Sequence, residues 1–195
     1  MKRLPILLLV ALVVGCGSEE SAPVGTPSVP VEPPPATVGP TEPVPTAPVP
    51  TEPAPQKGLP AAVEQTREAI IAAAQARDYD ALAELIPDSG FTFSYGAGDS
   101  AIDYWKDLEA AGETPLATMA ALLALRHTNA GDIYVWPWAY DKDPANLTDA
   151  QKQALAGAGA ATVDQLDQMA ELGHYLGWRV GIREDGTWMF FVAGD

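Results

Sequence analysis

Fourteen of the chain's 19 prolines lie between Pro23 and Pro60. Proline fixes its own φ at about −65°, has no backbone N–H to donate, and biases the residue before it toward extended conformations. A stretch this dense in proline cannot form a helix or the interior of a sheet. It also lacks hydrophobic periodicity, so it has no face to bury. Any folded core must come from the C-terminal side. The stretch contains a repeat: Thr41-Glu42-Pro43-Val44-Pro45, Thr46-Ala47-Pro48-Val49-Pro50, Thr51-Glu52-Pro53-Ala54-Pro55. At ~3.1 Å per residue in polyproline II, residues 17–59 reach at most ~130 Å. They read as a semi-rigid, disordered stalk.

The composition changes at Pro60. All five Trp and all six Tyr lie beyond residue 78. Residues 60–195 carry 21 acids and 8 bases, and the whole chain has a formal charge of −15. Such a balance argues against nucleic acid as a partner and against basic attraction to anionic lipid. One cysteine excludes a disulfide framework or a Cys-rich zinc site, and two histidines leave little for a His-based metal centre. No metal and no cofactor is expected. The length suits one domain with an appendage, and residues 60–195 suffice for a single core.

The N-terminus carries an address. Lys2 and Arg3 precede an apolar run, Leu4–Val14, which at 11 residues is too short to span a bilayer; a span needs about 20. This is the pattern of a secretory signal. It ends in Val13-Val14-Gly15-Cys16, and here the chain resembles bacterial lipoproteins, whose lipobox places small and branched residues before an invariant cysteine. The resemblance implies cleavage of residues 1–15 and acylation of Cys16. It also implies a mature chain held to the membrane by its acyl chains, with palmitate-type lipid as the anchor. Gly17, rather than Asp, follows the cysteine, which in a host with two membranes favours the periplasmic side of the outer membrane. The expected organisation is a signal peptide over 1–15, a lipidated cysteine and stalk over 16–59, and one globular domain over 60–195.

Within that domain, apolar spacing and caps place a helix from Pro60 to about Ala76 and a short one, capped by Asp78, over Tyr79–Ile86. Phe91–Tyr95 alternates as a strand. Ser100 caps a helix to about Ala111, and Thr114 with Pro115 opens another, ending near His127. Asp132–Tyr140 reads as a strand broken at Pro137. Thr148 with Gln151 and Thr162 with Gln165 match the capping-box pattern, and Gly173 ends the last helix. Asp185-Gly186 turns a closing hairpin, Trp178–Arg183 and Thr187–Ala193. The fold class is α+β: several helices on a small, mostly antiparallel sheet. The opening order of helix, capped short helix and aromatic strand is similar to the nuclear transport factor two superfamily, as is the closing hairpin. That resemblance covers about 55 residues. The helical stretches 100–130 and 148–173 depart from it, and no residue role is carried over.

A two-residue loop would pair Val180 with Phe191 and Ile182 with Met189 on a core face that also holds Trp178. The opposite face would then set Arg183 beside Trp188, Gly181 beside Phe190, and Arg179 beside Val192. That cationic, aromatic face with a glycine gap is one candidate ligand site. Trp136 and Trp138, in line with Tyr134 and Tyr140, could stack on sugar rings. His174 would stand near a pocket mouth. The candidate face is therefore Arg179, Arg183, Trp188, Phe190, Trp136, Trp138 and His174, and no catalytic residue is assigned. The expected function is a cell-envelope lipoprotein presenting an acidic domain to a ligand, an envelope protein or a glycan. A periplasmic enzyme and a structural tether are the alternatives.

Overall fold

The computed structural model describes residues 56–93, 98 and 100–194. Helix α1 spans Ala61–Ala76 and buries Val63, Ile70, Ile71 and Ala74, the apolar side expected from its spacing. Arg77 ends it in the left-handed region, φ 56°. The side chain of Asp78 caps α2, Tyr79–Leu85, by accepting from the Ala81 N–H. Ser100 caps α3, Ala101–Ala110, and Pro115 begins α4, Pro115–Ala124. Helices α5, Asp149–Gly157, and α6, Val163–Leu172, both open with complete capping boxes. Gly173 closes α6 at φ 77°. The fold is α+β, as expected.

Four strands, β1 (Thr128–Ala130), β2 (Ile133–Trp136), β3 (Arg179–Arg183) and β4 (Trp188–Val192), form one antiparallel sheet in chain order. Helices α1 and α4 pack on each other and on β3. Across the core-facing side, Trp136, Val180 and Phe191 form one row, all completely buried. The next row is Tyr134, Ile182 and Trp188.

Three expectations change here. First, α4 stops at Ala124, with Leu125 already extended, so His127 lies beyond the helix. Second, the strand ends at Trp136. The Trp136–Pro137 peptide is cis, and Trp138–Asp141 continues as a 3-10 turn, so the four aromatics do not share one strand face. Third, the hairpin register slips part-way. Val180 opposes Phe191 as expected, but Ile182 opposes Trp188, with a bulge between Gly181 and Ile182. The turn accounts for the slip. The Gly186 N–H reaches the Arg183 carbonyl and the Arg183 N–H reaches Thr187, so the loop holds three residues with Gly186 at φ 90°. One extra residue in β4 lets Trp188 and Phe191, three apart, both point inward, which strict alternation forbids.

The aromatic segment after α2 is not a full strand in its described part. Thr92 alone bridges to Phe190, in parallel, with its N–H on the Met189 carbonyl. Ser94 and Tyr95 lie outside the described residues. Phe91 packs on Trp188 at 4.9 Å, and Trp105 stacks on Trp188 at 5.7 Å. The Trp105 indole N–H, at the centre of this cluster, is the one fully buried side-chain polar atom without a partner among the described residues.

Candidate functional site

The expected ligand face is dismantled by the bulge and by local hydrogen bonding. Trp188 is 1 % exposed and donates to the Phe190 carbonyl. Arg183, freed from Trp188, sits 3.5 Å from Asp132. The Phe190 ring lies on Gly181 so closely that a Cβ there would fall 2.3 Å from it, which fills the glycine gap. Arg179 is buried, and its guanidinium donates to the carbonyls of Gly177 and Gly194. Trp136 is completely buried. Trp138 is half-buried, with the Arg126 guanidinium over its ring at 5.5 Å. His174 is exposed on the loop after α6. The seven residues do not converge on one site.

Two other places gather polar groups, and they differ in kind. The first joins α1, the end of α4 and β2. Arg67, 1 % exposed, pairs with Glu64 through two nitrogens and donates to the Leu123 carbonyl. The Gln56 amide nitrogen reaches the carbonyls of Leu123 and Leu125. Its oxygen accepts from the Trp136 indole and lies 3.2 Å from His127 Nδ1. Gln56 and Leu59 were expected in the stalk but belong to the packed structure. Arg67 holds the Glu64 carboxyl below its usual range, and burial pushes His127 down. The rings of Tyr134 and Trp136 flank His127 at 5.5 Å each.

The second place is a cleft of 660 Å³ between the start of α4, the α5–α6 connection, α6 and the residues entering β3. Small residues open it: Ala156, Gly159, Ala160, Ala161 and Gly177. Leu108, Pro115, Val163, Met169 and Leu176 supply larger apolar walls. Trp178, half-buried, backs onto Phe191 with rings stacked at 4.6 Å and forms another wall. Thr118 lines the cleft and is 8 % exposed, yet its hydroxyl has no hydrogen-bond partner among the described residues. Glu113 lines it as well, with no ion-pair partner among them. The Gln165 amide oxygen and Thr162 hydroxyl are already used in the α6 capping box.

The sequence held partial signals for this cleft. Thr118 is a lone polar residue in the apolar run of α4, and residues 157–161 read Gly-Ala-Gly-Ala-Ala. Neither signal says that the two segments meet. Trp178 was expected in the core and instead stands at its edge.

The charge balance is also structured. From Pro60 onward every basic side chain has a partner within the fold. Arg67, Arg77, Lys142, Lys152 and Arg183 pair with acids. Lys106 and Arg126 lie over Tyr79 and Trp138, and Arg179 holds carbonyls. Exposed acids such as Asp80, Glu84, Asp103, Asp164 and Glu171 have no basic partner among the described residues. Burial and the hydrogen bond to Glu109 push the Tyr79 phenol up to about 12.

Among the described residues, no cluster of three or more His, Cys, Asp or Glu could hold a metal ion, and no helix is long and apolar enough to cross a membrane. No family model, no curated protein and no solved structure matches the chain.

Proposed function

We propose that the chain is a cell-envelope lipoprotein, anchored through Cys16 and spaced by its proline-rich segment, whose acidic domain binds a small ligand. The observation that carries the binding reading is the cleft beside Trp178. Its 660 Å³ falls within the ~300–1,000 Å³ of small-molecule pockets, and like them it joins apolar walls to few polar groups. The anchor reading is supported by the Leu4–Val14 run, which ends two residues before the chain's sole cysteine. Two or more acyl chains, at ~0.8 kcal/mol per buried methylene, hold a protein without a spanning helix.

The two parts are tested separately. Cys16→Ser is expected to abolish incorporation of labelled palmitate and to shift the protein out of the membrane fraction. Unchanged labelling and fractionation would sink the anchor. For the cleft, a fragment screen by thermal shift on the full chain should yield ligands that fail to stabilise Ala156→Phe, in which a ring fills the cleft from the half-exposed wall of α5. Ligands that stabilise both proteins alike would place binding elsewhere.

A further inference from the structure

We infer that the cleft beside Trp178 takes a small organic cation: an amine or quaternary ammonium carrying a compact apolar body. This rests on the binding reading above and adds the chemistry of the ligand. The apolar body follows from the walls, where Pro115, Val163, Met169, Leu176 and the Trp178 ring leave a hollow with few polar atoms.

The polar contact follows from Thr118. Its side chain is more than nine-tenths buried, faces the cleft, and has a hydroxyl without a partner among the described residues. The hydroxyl oxygen itself is not fully enclosed and opens on the cleft, so a polar group of a ligand can take the hydrogen bond that solvent otherwise supplies. Gly159 keeps the approach clear. It sits at φ 72°, and a Cβ there would fall 2.6 Å from Thr118 Oγ1 and cover it.

The charge follows from what lines the cleft. Glu113 is its charged lining residue and has no basic partner among the described residues. The Arg179 guanidinium is turned to the carbonyls of Gly177 and Gly194 and is not among the lining groups. An anion would meet Glu113 and the field of a domain with 21 acids and 8 bases. A cation meets Glu113 and an indole, whose ring face attracts positive charge.

The test is a charge series on one body: 2-phenylethylammonium, 2-phenylethanol and 3-phenylpropionate, titrated by calorimetry against the full chain in phosphatidylcholine nanodiscs, with empty nanodiscs as the blank. The ammonium is expected to bind roughly tenfold tighter than the alcohol, and the propionate to give no heat. Glu113→Gln should bring the ammonium to the affinity of the alcohol and leave the alcohol unchanged. Ala156→Phe should abolish both. Equal affinity for alcohol and ammonium in the unaltered chain, with Ala156→Phe still blocking, would overturn the cation assignment and leave the cleft as a binding site. Tightest binding by the propionate would overturn it in the same way. Silence from all three compounds would overturn this ligand class, while the fragment screen decides the binding reading on its own.

Discussion

The Gln56–Arg67 cluster and the Trp178 cleft lie in the same fold and treat their polar groups in opposite ways. Around Arg67 every buried polar group is answered. The guanidinium has a carboxylate and a carbonyl, and the Gln56 amide uses both its nitrogen and its oxygen. Around Thr118 the walls are small, the hydroxyl is unanswered and Glu113 is unpaired among the described residues. A satisfied polar network holds elements in register, because removing any member leaves its partners buried and unpaired. An unsatisfied group at the edge of a hollow contributes nothing of the sort. The contrast separates polar residues that build the fold from those available for binding.

The sharpest way to break this comparison is Arg67→Ala. Removing one partner of a buried ion pair costs ~3–5 kcal/mol, and Arg67 is 1 % exposed with Glu64 against it. A fall of about 10 °C in Tm is expected, at ~2–4 °C per kcal/mol for a chain of this size. A fall within 2 or so degrees (about 1 kcal/mol) would show that the cluster is not holding α1 to α4. Next in size is Gln56→Ala, which strands the Leu125 carbonyl and the Trp136 indole and leaves the Leu123 carbonyl to Arg67. A loss of about 1–3 kcal/mol in chemical denaturation is expected.

A smaller effect is titration of the same cluster. Burial lowers the His127 pKa, Arg67 pushes it the same way and Glu64 opposes. The folded state therefore binds fewer protons than the unfolded one. The His127 contribution is fully present above its ordinary value of 6.5 and is lost as pH falls through the lowered one. Glu64, also lowered, adds a loss of the same sign below its usual 4.5. Tm should decline from pH 7 to 5, and His127→Gln should flatten that decline. A slope unchanged by His127→Gln would remove His127 from the account. The smallest effect should come from Thr118→Val at the other pole. With no hydrogen bond to lose, stability should stay within about 0.5 kcal/mol or rise. A large loss would mean that Thr118 is structural after all.

The sequence was legible where the cause is local. Asp78, Ser100, Thr148 and Thr162 cap helices because their side chains reach N–H groups three residues on. Gly173 ends α6 because it alone tolerates that φ cheaply. The hairpin was found but its register was not, since Asp185-Gly186 fits both a two-residue turn and the three-residue turn observed. That single residue moved Trp188 into the core and dissolved the expected ligand face. The polar cluster was invisible for another reason. Gln56 meets Leu123, Leu125 and Trp136 across 67, 69 and 80 residues, and nothing in a polar residue among prolines marks such a partner. The cleft is likewise built from α4, the α5–α6 connection and the entry to β3, whose meeting is a property of the packing.

Gln56 also decides how the fold would answer a pull. A load arriving along the backbone from the N-terminal side is transmitted at Gln56 through hydrogen bonds to the carbonyls after α4 and to the β2 indole. That side chain acts as a strain relief, sharing tension between a helix end and a sheet before α1 begins to unwind. A chain lacking this amide would keep only the backbone N–H of residue 56 on the Glu64 carboxylate ahead of Pro60, where α1 has no side-chain cap.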